Sequence, residues 1–227
     1  MIEAKLLVGR FLKLTPSPAQ GPTGAAAPYV ANFVPVVCPR MTIQESSKRS
    51  YNPLKGGFSQ RTSNVVQGTN QAPNKAHRNL KWLPWYKGDI SETALDTDVL
   101  TGPMSGCILT SYTRAGQATV GHVGTVDVVP NPYDPATVNT AVKAVWNNFA
   151  TNHPGDIVGG FNPVGLTVPA HPRAVDDDSW GQTWGLFTTD GNFWAVQVYL
   201  QKNTTDDFRI AAVHQVNSMT LVQLQNI

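Results

Sequence analysis

Cys107-Ile108-Leu109-Thr110-Ser111-Tyr112, then Thr113-Arg114-Ala115-Gly116, then Thr119 to Val129, reads as two strands around a turn. The first segment is β-branched and aromatic, and the last is rich in valine and threonine. Gly116 can adopt a positive φ, which suits the turn. A turn centred between Arg114 and Ala115 sets Cys107 directly opposite His122. Opposed residues share a face, with Cβ atoms about 4.5–5.5 Å apart. A bulge at Gly116 would slip this register and change the facing.

The segments on either side extend a β-rich frame. The 17 prolines and 19 glycines argue for many turns. Tyr29 to Cys38, Gly185 to Leu200 around Asp190-Gly191, Phe208 to Val216 and Met219 to Leu224 read as further strands, the second as a hairpin. Residues 1–14 suit a short strand or helix. One helix is clear: Asp134 caps it, Pro135 fits its first turn, and Val138, Val142, Val145 and Phe149 form its apolar stripe. His153-Pro154-Gly155 ends it. Residues 15–28 and 46–79 read largely as loop, with a short strand at Asn64–Gln67. The expected fold is α+β: a β-sandwich of mixed or antiparallel sheets flanked by helices, in a single domain over 1–227.

A cysteine beside a histidine is the arrangement that thiol catalysis needs. A free thiol, with a pKa near ~8.5, is mostly protonated at neutral pH. A neighbouring imidazole takes the proton, and the thiolate attacks a carbonyl carbon. A third group fixes the ring tautomer through the other nitrogen. Peptide N–H groups around Gly106 and Cys107 would offer an oxyanion site. The competing reading of Cys107 is a small core hydrophobe in a non-catalytic β-rich binding module.

Residues beyond the hairpin bear on that choice. Lys81-Trp82-Leu83-Pro84-Trp85-Tyr86-Lys87-Gly88-Asp89-Ile90, Thr101, Ser105-Gly106-Cys107 and His122 occur in this order. This pattern resembles the core of the Burkholderia lethal factor-like glutamine deamidase toxins. That superfamily also includes the cytotoxic necrotizing factor catalytic domain and the chemoreceptor deamidases. The resemblance spans residues 81–125. Met104 stands where the lethal factor has leucine, and the cysteine-to-histidine gap is closer to that of cytotoxic necrotizing factor. The resemblance implies that Cys107 is the nucleophile, His122 the base and Thr101 the group orienting it. Asp98 and Asp127 are the alternatives to Thr101. Trp82 and Trp85 are expected to pack the core. The implied activity is conversion of a host-protein glutamine to glutamate, with no cofactor. The implied substrate is a translation-initiation helicase or a Rho-family GTPase. Transglutamination and proteolysis share the same thioester. A secreted or delivered effector acting in a host cytoplasm is also implied, although no signal peptide is apparent.

Composition narrows the partners. The net charge is +2 and only 14% of residues are charged, so long-range electrostatics give no case for nucleic acid or membrane. The expected state is a monomer. The basic residues Lys48, Arg49, Lys55, Arg61, Lys75 and Arg78 either line a solvated loop or face a protein substrate. Two cysteines make no disulfide framework, and Cys38 reads as a buried strand-end residue. Asp176-Asp177-Asp178 and the histidines 77, 153, 171 and 214 show no metal-ligand spacing.

Overall fold

The structure is a computed structural model describing residues 2–14, 29–54, 56–68, 79–127, 133–163, 181–200, 204–205 and 207–227. The tri-aspartate, His77, His171, Lys55, Lys75 and Arg78 lie outside the described residues.

Eight strands close into a barrel. Their order is β1 (Phe11–Lys13), β13 (Asp207–Val216), β12 (Phe193–Leu200), β11 (Gly181–Phe187), β7 (Val99–Thr101), β5 (Asn79–Leu83), β3 (Arg40–Asn52) and β4 (Gly57–Gly68). The pairings are antiparallel except β1 with β4 and β5 with β7. A second sheet runs β10 (Ile157–Phe161), β8 (Ile108–Arg114), β9 (Gln117–Val123), β6 (Ile90–Ala94) and β2 (Phe33–Pro35), with only β2 and β6 parallel. The α+β class with two mixed sheets stands, and one of the sheets closes on itself.

Three apolar layers hold these parts together. Leu12, Ile43, Trp82, Leu100, Trp184 and Phe208 belong to one core cluster. Trp184 meets both Trp82 and Phe208 edge-on, at 5.2 and 4.7 Å between ring centres. A second cluster joins the barrel to the open sheet, bringing Leu83, Val99, Phe187 and Ala195 against Cys107, Leu109, Val120 and Phe161. A third packs the far side of that sheet, through Ile108, Tyr112 and Val123, on helix α1 (Pro135–Asn152). Strand β8 is therefore covered on both faces, which explains its unbroken burial from Ile108 to Tyr112, Thr110 and Ser111 included.

Helix α1 begins as its sequence dictates. The Asp134 carboxylate accepts the Thr137 N–H at 2.9 Å. Its buried face is Val138, Val142, Trp146 and Ala150, a strict four-residue ridge. Val145 and Phe149 flank that ridge half-buried. The Asp190-Gly191 hairpin forms as β11 and β12, with Gly191 at φ 87°.

Four expectations change. Residues 46–52 and 57–68 are not loop, because β3 and β4 pair continuously from Met41–Gly68 to Asn52–Gly57. Most residues of this ribbon that carry a burial description are exposed or half-exposed, so no alternation marked it; cross-strand pairs such as Ser50 with Ser59, 2.8 Å apart, and Tyr51 with Phe58 link it instead. Met219 to Leu224 is not a strand: α2 (Leu221–Leu224) starts there, on a capping box between Thr220 and Gln223. Within Tyr29 to Cys38, only Phe33–Pro35 is strand. The fourth change is register. The turn is Ala115-Gly116, both with positive φ (49° and 76°), and Arg114 pairs with Gln117. Such a two-residue turn matches strand twist and places glycine second. His122 therefore pairs with Leu109, and not with Cys107. Among the described residues no helix is long and apolar enough to cross a membrane.

Candidate functional site

The site is built where the barrel meets the open sheet. Leu83 ends β5 and Thr101 ends β7, and these two residues are paired. Leu100 points into the first core cluster, so Val99 and Thr101 face the other way, toward the open sheet. Here β5 leaves the barrel through Leu83-Pro84, and its carbonyls turn to side-chain hydroxyls. The Leu83 carbonyl accepts the Thr101 hydroxyl at 2.7 Å, and the Pro84 carbonyl accepts that of Ser91 at 2.7 Å. The Trp-Leu-Pro-Trp segment thus acts as a platform, with Trp82 buried inside and Trp85 packed on the second cluster.

His122 sits on β9, between Leu109 of β8 and Ser91 of β6. Its ring is fully buried, and Nδ1 lies 2.7 Å from the Thr101 hydroxyl oxygen. Because Thr101 donates its own hydrogen to Leu83, its oxygen must accept from Nδ1–H. That assignment leaves Nε2 unprotonated. Nε2 is buried and has no hydrogen-bond partner. Burial without a compensating charge pushes the imidazole pKa down to about 3, so the resting ring is neutral.

Cys107 lies one residue before β8, two positions from Leu109. The register difference keeps parity: Cys107 shares the core cluster of Leu109 and stands diagonal to His122 on the same face. Its approach is fixed by the Gly102–Gly106 loop. A Cβ on Gly102 would fall 2.3 Å from the Trp184 ring, and Met104 N–H donates to the Thr183 carbonyl at 2.8 Å. The thiol is 1% exposed. Its polar neighbours are the Thr125 hydroxyl at 3.5 Å and the Thr125 carbonyl at 3.8 Å. Burial raises the thiol pKa, while Thr125 and the peptide groups of Gly106 and Ser105 pull it down.

Thr125 escaped the sequence reading, although it follows His122 closely. Two clamps hold it. Gly124 N–H donates to the Asp89 carbonyl at 3.0 Å, and Gly88 N–H donates to the Gly124 carbonyl at 2.7 Å. On the other side, the Asn139 amide exchanges two hydrogen bonds with the Val126 backbone, at 2.8 and 2.9 Å. Of the alternatives to Thr101, Asp98 accepts the Thr189 N–H at 2.8 Å and Asp127 is exposed. Cys38 is buried, and its thiol pKa is raised chiefly by burial. No group of three metal-ligating side chains occurs among the described residues.

Chemically, the arrangement offers a neutral thiol, an oriented neutral imidazole with an open acceptor nitrogen, and peptide groups around the sulfur. Comparison with known proteins adds little. No family model matches the chain, and no curated protein matches it. Among solved structures it is similar to the C-terminal domain of CNFy from Yersinia pseudotuberculosis, at 8% identity and a TM-score of 0.24, over 78% of this chain and 87% of that one. A likeness that distant carries no argument about fold or chemistry.

Proposed function

We propose that this chain is a protein glutamine deamidase acting through Cys107, with His122 as base and Thr101 orienting it. One observation carries the reading: Thr101 holds His122 in the tautomer whose buried Nε2 is an unpartnered acceptor, on the face that Cys107 shares. A buried acceptor without a partner is costly, and a catalytic role explains why it is retained.

In the proposed reaction Nε2 takes the thiol proton, and sulfur attacks the side-chain carbonyl carbon of a substrate glutamine. The imidazolium returns its proton to the departing nitrogen, and ammonia leaves with cleavage of the C–N bond. Water then adds to the thioester, its proton passing to Nε2. Collapse gives glutamate, and the proton restores the thiol. The residues around Lys81–Asp89, Thr101, Cys107 and His122 support a host protein as substrate by resemblance. A glutamine in a nucleotide-hydrolysing switch, of a translation-initiation helicase or a Rho-family GTPase, fits the same reading.

One observation favours the non-catalytic alternative. Cys107 and His122 are 1% and 0% exposed, as a core pair would be. The catalytic reading therefore requires the Gly102–Gly106 and Gly124–Val126 segments to part when substrate binds. Intact mass spectrometry of candidate substrates decides between the two. Deamidation gives a gain of about 1 Da per glutamine, with release of ammonia. We expect that gain with the native chain and not with Cys107→Ser. Unchanged substrates, or equal turnover by a folded Cys107→Ser variant, would reject the assignment.

A further inference from the structure

The near-neutral net charge conceals a sharp segregation. Eight of the chain's 17 Lys and Arg residues fall between Ser46 and Gly88, a stretch with no Asp or Glu. The remaining nine face 15 acidic residues elsewhere in the chain. Part of this basic stretch is the β3–β4 ribbon. Strand β5 pairs with β3 only at Arg40–Thr42, and β1 pairs with β4 only at Ser63–Val65. From Ser47–Thr62 to Asn52–Gly57 the two strands pair only with each other. This leaves an arm about 20 Å long standing off the barrel.

The end of the arm is apolar. Leu54 is 97% exposed, Phe58 65% and Tyr51 56%. Tyr51 and Phe58 pair across the strands with ring centres 5.1 Å apart. The Arg49 guanidinium lies 4.4 Å over the Phe58 ring, on the same face. Lys48 is exposed on the opposite face of the ribbon. The Asn52 side chain accepts the Leu54 N–H at 3.0 Å, which shapes the turn that presents Leu54. Exposed large apolar side chains grouped at one point mark an interaction site. Here they stand at the end of the two paired strands, beyond the last described residues that pair with the barrel.

We propose that this arm is an anchor for anionic lipid bilayers, with Leu54, Tyr51 and Phe58 entering the interface and Lys48 and Arg49 meeting the headgroups. Aromatic rings settle at the membrane–water boundary, and basic side chains beside them add attraction to acidic lipids. A bilayer closes around a protruding tip. A protein partner needs a wider patch, about 800 Å² on each side, which three side chains do not supply. This role is independent of the chemistry at Cys107.

Co-sedimentation of the full chain with vesicles tests it, using phosphatidylcholine alone or mixed with phosphatidylserine. The expected result is binding to the mixed vesicles and none to the neutral ones. Lys48→Glu with Arg49→Glu should lower partition by roughly tenfold or more, since each cation contributes about fivefold and reversal repels. Leu54→Ser should also lower it, and its near-complete exposure keeps the fold out of question. Failure to sediment with acidic vesicles would overturn the proposal. So would binding unaffected by Leu54→Ser, or binding to polyaspartate in preference to vesicles, which would make the arm a docking site for acidic protein. Deamidation in solution should be unchanged in all these variants.

Discussion

The hydroxyl of Thr101 both gives and receives a hydrogen bond, and the function proposed for His122 depends on that order. It donates to Leu83 and accepts from Nδ1–H. Thr101→Val removes the acceptor but keeps the shape, so the ring loses its preference for the tautomer with a basic Nε2. Turnover should fall by roughly tenfold to a hundredfold with little change in KM, and Thr101→Ser should restore most of it. Steady-state kinetics of the three proteins on a substrate identified by mass check this. The burial of His122 makes a separate prediction about stability. Its folded pKa is about 3 against an ordinary 6.5. Above pH 6.5 both folded and unfolded chains hold it neutral. As pH falls below that value, only the unfolded chain takes up the proton, so stability declines until about pH 3. This one group gives a slope of at most about 1.4 kcal/mol per pH unit. Denaturant titrations across this window should show the decline, and His122→Gln should flatten it. At this scale the sequence marked Cys107, His122 and Thr101 through motif order. Thr125 was not legible, because its place beside the sulfur depends on clamps from Asp89, Gly88 and Asn139 that lie far off in the chain.

The elements that were legible carry a local signal of their own. Helix α1 has a cap and an apolar ridge, and the β11–β12 hairpin has Asp190-Gly191. The β3–β4 arm has polar side chains on both faces over most of its length, so period-two alternation had nothing to report. The β8–β9 hairpin was legible, but the position of its turn was not. Placing glycine second in the two-residue turn moves the centre by one residue, which preserves facing and changes the opposed pair. The crossing between β9 and the 86–89 turn carries a prediction at this scale. A Cβ on Gly124 would fall 1.9 Å from the Tyr86 carbonyl oxygen, a contact that only backbone movement relieves. Gly124→Ala should cost about 2 kcal/mol or more. It should also displace Thr125 from the thiol. Chemical denaturation measures the first effect, and the pH dependence of thiolate absorbance in a Cys38→Ala background measures the second.

Across the whole molecule, the closed barrel and the open sheet each contribute half of the candidate site. Thr101 and the Leu83 carbonyl come from the barrel, and His122 and Cys107 come from the sheet and its leading loop. The second core cluster fixes the two halves against each other. This explains how residues scattered over a short stretch of sequence can converge without a metal or disulfide framework among the described residues. It also defines the question on which the proposed function turns: whether the closed thiol becomes a nucleophile for a glutamine side chain. The most direct measurement is the intact mass of the protein after exposure to a chloroketone analogue of glutamine, followed by peptide mapping. The prediction is one adduct, on Cys107 and not on Cys38, strongly slowed in His122→Ala and in Thr101→Val. An unmodified protein, or an adduct confined to Cys38, would contradict it and leave Cys107 as a core residue.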